Sequence, residues 1–363
     1  MKLNFILPGR GSQFMGGFII MYEHAYHLAQ RGHEVNVIHP PYRRTDSSLK
    51  DQINAVLKFL AGCGKRDFWL PSGFDEKYPG VNFKWIPWIA SFSIPDADIS
   101  VVSFWHTAEW AKRLTAKKGD IVYLVQEYEM FMTAGSDIRQ RMKDNFLSGF
   151  KYAAISPAVV EMLESCGSEA HAYVPNGIDL RSYCLESPIA SDTREYIGFP
   201  YRLEAFKRTD IALAALESIR EKLGENVKIW SFGPEPTEPL PGWIEYYQRP
   251  SNEKLKDLFN QSKIFITPSD YEGWGLPGSE AMACGATLVT TDSGGVRGYA
   301  KNNENSLVSP AGNAKVLASN ILALLENDDQ RIRLGQQGHE DIQEFTYEAA
   351  ADRFEDFLLN LAS

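Results

Sequence analysis

The chain has 363 residues, 44% of them hydrophobic and 23% charged, and a formal net charge of -10. That length suits two domains of ordinary size rather than one core, and so acidic a balance argues against a nucleic-acid partner. No apolar run is long enough to cross a bilayer.

The opening stretch, MKLNFILPGRGS, lacks the apolar core and cleavage site of a signal peptide and reads as a first strand. After it comes GGFIIMYEHAYHLAQRG, a helix stopping at Gly32, and then the strand HEVNVIHP. Residues 40–98 are less regular, with PPYRRTDSS, a helix near 48–61 and GCGKRDFWLPSGFD. A long insertion after a second strand more often shapes a binding site than a core. Regular alternation resumes with DISVVSF and TAEWAKRLTAK, then DIVYLVQ and a helix near 137–148, then YAAIS and PAVVEMLESCG. The turn YVPNGIDL comes next, with strong turn chemistry at Pro175-Asn176-Gly177.

The pattern then restarts: REYIGFP, a helix over about 208–223, VKIWSFG, NEKLKDLFNQS and KIFITPS. Strand–helix alternation argues for parallel sheets covered by helices on both faces. Two such series imply an α/β protein of two doubly wound domains, residues 1–176 and 177–346. The last amphipathic segment, within 347–363, is free to cap either. Charge agrees with the division: residues 1–176 hold 19 Lys and Arg against 18 Asp and Glu, so the acidity lies in residues 177–363. Cys63, Cys166, Cys184 and Cys284 show no metal-ligand spacing and read as reduced thiols of a cytoplasmic protein.

Three clusters carry chemistry. PGRGSQFMGG joins a strand to a helix, and Gly16 and Gly17 open that helix, where free N–H groups attract anions. The dinucleotide fingerprint does not fit, because four residues separate Gly11 from Gly16. A flexible turn is the plain alternative. In PYRLEAFKRTD, Arg202 and Lys207 stand five positions apart before a helix, which suits a diphosphate clamp or two solvated cations. In SDYEGWGLPGSEAMACG, Glu272 lies just past a parallel strand, where ligands bind in open α/β sheets. Gly275 and Leu276 offer N–H groups at the next helix's start. Glu280, inside that helix, is a good acceptor for paired hydroxyls such as those of a ribose. The competing reading makes Glu272 a helix-dipole acid and Glu280 part of a solvated face.

EGWGLPGSEAMACGATLVTTDSGGV resembles the E-x7-E motif of the retaining GT-B glycosyltransferases of family 4. YVPNGIDL resembles that family's interdomain turn, YRLEAFKRTD its Arg and Lys segment, and ENSLVSPAGNAKVLASNILALLEND its tail. The resemblance covers nearly the whole chain. It implies two Rossmann-like domains facing a cleft that holds a nucleotide sugar, with the final helix packing back on the first domain. It implies that Glu272 lies beside the transferred sugar and that Gly275 and Leu276 give N–H groups to sugar and phosphate. Glu280 would take the ribose hydroxyls, Arg202 and Lys207 the diphosphate, and Gly16 and Gly17 the phosphates from the other domain. Arg249, in YQRPSNEKL, falls where such enzymes contact the base.

The chain departs from the family at Gln126 and Glu127, where a His-Asp pair is common, and His106 stands one strand earlier. LVQEYE resembles a subset that includes rhamnosyltransferases of bacterial polysaccharide assembly. The donor candidates are therefore dTDP-rhamnose, UDP-sugars and GDP-sugars. No prosthetic group and no metal site such as Asp-x-Asp is read in the chain, so cations and helix N–H groups are expected to replace a metal at the leaving group.

The acceptor is expected to be a saccharide or a lipid-linked saccharide. Arg43, Arg44, Lys65 and Arg66 lie in residues 40–98 with the aromatics Phe68, Trp69, Phe74, Trp85 and Trp88. They either form an acceptor face with Gln126 to Glu129, in peripheral contact with the inner membrane surface, or pack an extra subdomain. Two other classes compete: a catalytically inactive sugar-binding protein on the same fold, and a glycoside hydrolase or phosphorylase pairing Glu272 with Glu280. The second requires carboxyls about 5–10 Å apart across a sugar, which a loop and a helix interior make awkward.

Overall fold

The computed structural model describes residues 1–8, 16–40, 50, 53–54, 57, 60–61, 74–86, 90–224 and 227–362. The chain divides into two compact units. One comprises Met1–Ile155, Val159–Gly177 and Tyr347–Ser363, and the other Ser156–Ala158 and Ile178–Thr346.

The first unit begins with β1 (Lys2–Ile6), α1 (Gly16–Gln30), β2 (Glu34–His39), the short α2 (Phe74–Lys77), β3 (Asn82–Trp85) and β4 (Ile99–Val102). It continues through α3 (Trp105–Ala111), β5 (Asp120–Val125), α4 (Tyr128–Thr133), α5 (Ser136–Phe146), β6 (Lys151–Ala154), α6 (Pro157–Ser165) and β7 (Ala172–Tyr173). The strands form one sheet in the order β3-β2-β1-β4-β5-β6-β7, parallel at each pairing. Such a sheet is covered on both faces. Leu3, Phe5 and Ile6 of β1 and Val122, Tyr123, Leu124 and Val125 of β5 are accordingly buried.

The second unit contains β8 (Tyr196–Pro200), α7 (Thr209–Leu223), β9 (Lys228–Gly233), β10 (Ile244–Gln248), α8 (Asn252–Gln261) and β11 (Ser262–Thr267). Then come α9 (Leu276–Ala283), β12 (Thr287–Thr291), β13 (Ser306–Ser309), α10 (Ala314–Glu326) and α11 (Asp328–Ile342). Its sheet, also parallel, runs β10-β9-β8-β11-β12-β13. Ile197, Phe199, Ile264, Ile266 and Val289 meet Ala212, Leu216, Ile321 and Leu324 from α7 and α10 in its core. Helix starts follow local chemistry: the side chains of Ser251, Asn313 and Asn327 each accept from a main-chain N–H three residues on.

The last helix, α12 (Tyr347–Ala362), belongs to the first unit. Phe354 packs edge-on against Phe5 and beside the buried His24. Arg31 reaches Asp352 at 2.6 Å and Glu355 at 2.7 Å, and His33 Nε2 meets Glu355 at 2.7 Å. No helix among the described residues is long and apolar enough to cross a membrane.

Residues 40–98 contain a sheet strand that the irregular composition concealed. β3 pairs with β2 from Asn36↔Asn82 to His39↔Trp85. Trp85 is half-buried and stacks on the buried His39, ring centroids 4.6 Å apart. It is therefore a packing residue rather than an exposed aromatic. Arg43, Arg44, Lys65, Arg66, Phe68, Trp69, Trp88 and the Phe74 side chain lie outside the described residues.

Candidate functional site

In an open parallel sheet, the loops at the strands' C-terminal ends splay apart where the strand order reverses, and that crevice receives ligands. In the second unit the order reverses between β8 and β11. The loop after β8 carries Arg202 and Lys207, and the loop after β11 carries Glu272.

The Arg202 guanidinium lies over the Phe232 ring, 5.1 Å from its centroid. Its Nη1 donates to the carbonyls of Tyr201 at 2.8 Å and Phe232 at 3.3 Å. No protein acceptor among the described residues takes up Nε or Nη2. Burial lowers this guanidinium's pKa, and the acids Glu272, Glu204 and Glu280 pull the other way. An arginine keeps its charge under such a load, so the side chain presents a fixed cation with two N–H faces open. Its main chain is tied to the next helix, because Thr209 Oγ1 both accepts from Arg202 N and donates to Arg202 O.

Lys207 ends a 3-10 turn, Ala205–Lys207. Its ammonium meets Glu272 Oε2 at 2.7 Å, with both side chains largely shielded from solvent. Ser269 Oγ donates to the other carboxylate oxygen at 2.7 Å. The Glu272 main chain is held on both sides, donating to Ser293 O at 2.9 Å and accepting from Gly295 N at 3.0 Å. Glu272 is thus a pinned carboxylate beside a cation.

Helix α9 starts from Gly275, whose φ of 94° and ψ of 54° are open to glycine at little cost. The main-chain N–H groups of Gly275 and Leu276 have no protein acceptor among the described residues. The reason for the glycines here is the buried Tyr299. Its hydroxyl donates to Gly275 O at 2.9 Å. A Cβ on Gly275 or Gly278 would come within 2.9 or 2.8 Å of that oxygen. Tyr299 therefore sets the height of the helix start, which nothing in the local sequence signals. Tyr299→Phe should lower stability by about 0.5–1.5 kcal/mol, the worth of an ordinary hydrogen bond. Gly278→Ala should cost much less in that background than in the wild type, because the clashing oxygen is gone. Denaturant melts of the two single variants and the double variant check this coupling, and strict additivity would refute it.

Glu280 sits one turn further into α9, partly accessible but crowded by protein. No donor among the described residues bonds its carboxylate. Desolvation pushes its pKa up to about 7; Arg202 opposes the shift and Asp179 adds to it. A crowded carboxylate without a donor is poised to accept hydroxyls. Arg249 is exposed, in the left-handed region at φ 45°, with its N–H on Gly233 O at 2.9 Å. It lies past the end of the edge strand β10.

In the first unit the order reverses between β1 and β4. Gly17, in the first turn of α1, accepts at its carbonyl from Gln126 Nε2 at 3.3 Å, and the same nitrogen lies 2.6 Å from Ser103 Oγ. A Cβ on Gly17 would lie 3.6 Å from Phe104 and 3.7 Å from Gln126 Oε1, which is ordinary contact. Gly16 precedes it at the helix start. Gln126 is thus built into the start of α1. Glu127 is turned away, accepting from Trp105 N–H at 2.5 Å and from Tyr123 Oη at 3.3 Å. Burial pushes its carboxyl up to about 8. It caps α3, and His106 in that helix stacks on Trp105 at 4.4 Å.

An Asp-x-Asp is present, Asp96-Ala97-Asp98. Asp96 is taken by the buried Lys118 at 2.6 Å, and Asp98 accepts from Lys2 N at 2.7 Å. The pair ties the loop before β4 to the start of β1 and to the turn before β5.

Residues 186–341 match the family model described as glycosyl transferases group 1. The match contains Arg202, Lys207, Arg249, Glu272, Gly275, Leu276 and Glu280, and it leaves out Gly16 and Gly17. An uncharacterized glycosyltransferase of Methanocaldococcus jannaschii is 30% identical over 105 residues, 29% of this chain and 30% of that protein. A D-inositol 3-phosphate glycosyltransferase of Xylanimonas cellulosilytica is 26% identical over 204 residues, 49% of this chain and 48% of that protein. The chain thus spans less than half the length of these curated relatives. Among solved structures, HepE of Anabaena in complex with UDP superposes with a TM-score of 0.76 at 15% identity. That likeness covers 99% of this chain and 100% of the other. It shows the fold, the α/β architecture of GT-B glycosyltransferases, as expected from the sequence.

Proposed function

We propose that this protein is a retaining glycosyltransferase that moves a sugar from a nucleoside diphosphate to a saccharide or lipid-linked acceptor. One observation carries the reading. The switch point of the second sheet gathers a part-buried, half-satisfied guanidinium, a lysine, a pinned carboxylate, two unused helix N–H groups and a crowded carboxylate without a donor. These are the parts needed for a diphosphate flanked by a sugar and a ribose. The group 1 match over the same residues supports it, as does the UDP held by a protein of the same fold.

In this reading Arg202 and Lys207 hold the diphosphate, with the Gly275 and Leu276 N–H groups at its sugar end. Glu280 accepts the ribose hydroxyls, Arg249 lies toward the base, and Glu272 sits beside the transferred sugar. Gly16 and Gly17 are a second place where helix N–H groups meet phosphate. The anomeric C–O bond breaks and charge builds on the leaving phosphate, where the cations and N–H groups stabilise it. The acceptor hydroxyl attacks from the same face and passes its proton to the leaving phosphate oxygen, which preserves the anomeric configuration. The cations do the work a metal would otherwise do.

Donor candidates are dTDP-rhamnose, UDP-sugars and GDP-sugars, and the setting is polysaccharide or glycoconjugate assembly on the cytoplasmic side. The test is a donor panel with and without chelator, read by nucleoside diphosphate release and by NMR of the product's anomeric centre. One base should be preferred, turnover should survive the chelator, and configuration should be retained. Inversion, or loss of turnover on chelation that added metal restores, would overturn the mechanism. No binding of any nucleotide would overturn the function.

A further inference from the structure

Lys207 and Arg208 are consecutive cations, and each is matched to an acid on the segment that carries Glu272. Lys207 meets Glu272 itself. Arg208 Nη1 donates to both oxygens of Asp270, at 3.2 and 3.1 Å. The rest of its guanidinium closes on Asp210, through Nε at 3.0 Å and Nη2 at 2.9 Å. A main-chain bond, Asp270 N to Phe206 O at 2.8 Å, runs alongside. The Arg208–Asp270 pair lies over Gly312, where a Cβ would come 3.4 Å from Nη1.

Arg208 makes these bonds from an unfavourable backbone. Its φ is 51° and ψ 44°, left-handed, at the joint between the Ala205–Lys207 turn and α7. A residue with a Cβ is strained there, and glycine would not be. Strain at a junction beside a candidate site is maintained only when the surroundings over-determine it. Four hydrogen bonds to two aspartates on separate segments supply that.

We infer that Arg208 is a positioning residue, which clamps the Lys207 turn to the Glu272 loop through Asp270 and keeps Lys207 aimed when a nucleoside diphosphate draws it off Glu272. The inference rests on the functional reading of Lys207 and Glu272 above. Without ligand the Lys207–Glu272 pair, the Arg208–Asp270 pair and the Asp270 N–H on Phe206 O all hold the two loops together. Once phosphate competes for Lys207 that pair is weakened, and the Arg208–Asp270 pair, one residue and two residues away, is the side-chain tie left to keep the register beside the Asp270–Phe206 main-chain bond. Asp270, kept neutralised, also ceases to compete with phosphate for Lys207.

Arg208→Gly separates positioning from stability, because it relieves the backbone while removing the clamp. The full chain would be titrated calorimetrically with UDP, GDP and dTDP, and kcat and donor KM measured with the best donor. Expected are a melting temperature only slightly below the wild-type value, because the relieved backbone offsets part of the lost bonds, and a loss of about 10- to 100-fold in nucleoside diphosphate affinity or kcat, as for a misplaced charged group. Acceptor KM should not move. Asp270→Asn, which keeps the strained arginine, should show the same loss, and the double variant should be no worse than either. Wild-type affinity and turnover in Arg208→Gly would overturn the inference while leaving the function standing. So would a loss that tracks a lowered melting temperature in both variants. Failure of the wild type to bind any nucleoside diphosphate would overturn both.

Discussion

Replacing Lys207 with alanine is expected to cut sugar transfer by about 100- to 1,000-fold, and Arg202→Ala by a similar factor, the usual cost of one donor aimed at developing charge. The two act differently. Arg202 is fixed by the Phe232 ring and two carbonyls before any ligand arrives. Lys207 is paired with Glu272 and would have to leave it to meet a diphosphate. Lys207→Ala therefore also strands a shielded carboxylate, which costs stability by itself. A control separates the effects: Lys207→Gln combined with Glu272→Gln swaps the ion pair for an amide pair. Its melting temperature should recover while turnover stays low. Recovery of turnover along with stability would show that the pair is structural and that the diphosphate is held elsewhere.

Glu280 should show the second large effect, with opposite signs in the presence and absence of nucleotide. Its carboxyl is raised from 4.5 to about 7 by desolvation. Between those values the folded protein binds the proton more tightly than the unfolded chain does, so stability from this group is lost as pH climbs toward 7. Glu280→Gln removes a desolvated charge and should stabilise the ligand-free protein at pH 8 by about 1–3 kcal/mol, an advantage that fades below about pH 5. Nucleotide binding should move the other way. Ribose hydroxyls donate best to the ionised form, so wild-type affinity should rise through about pH 7 and then level. Glu280→Ala should lose about 1–3 kcal/mol of it at pH 8. Melting curves at pH 5 and 8, with calorimetric titrations across the same range, read both signs. Equal affinities for wild type and Glu280→Ala at pH 8 would remove the ribose assignment.

How much of this was legible beforehand depended on whether a feature is local. The helix read over about 208–223 is Thr209–Leu223, and the strand KIFITPS and the helix begun at Leu276 lie where apolar runs and glycines placed them. These are local signals of period and punctuation. TAEWAKRLTAK read as one helix, yet α3 ends at Ala111, and Thr115 N–H instead bonds Ser91 Oγ in a distant loop. β3 and β10 were missed because NFKW and IEYYQ are short and half-polar, as edge strands are. In the candidate site, residue types and spacing pointed to Arg202, Lys207, Glu272 and Glu280. The Ser293 carbonyl that holds the Glu272 N–H and the Tyr299 hydroxyl under Gly275 depend on contacts between segments well apart in the chain, whereas the Ser269 support of Glu272 is local. Arg208 was equally opaque: an arginine in the left-handed region looks in sequence like any other surface cation.

The placement of α12 has a consequence for how the molecule is made. The first unit takes its sheet from residues before Gly177, yet its final helix begins at Tyr347. On a ribosome adding about 5–20 residues per second, that sheet waits roughly 10–30 s for its last piece while the whole second unit is synthesised. During the wait the surface that Phe354 will cover, made by Phe5 and His24, faces water. Domains tend to fold as they emerge, but here the later unit has all its residues first and the earlier one is completed last. The order of synthesis and the order of completion are thus reversed, and the half-finished first unit is the species that a chaperone would have to shelter.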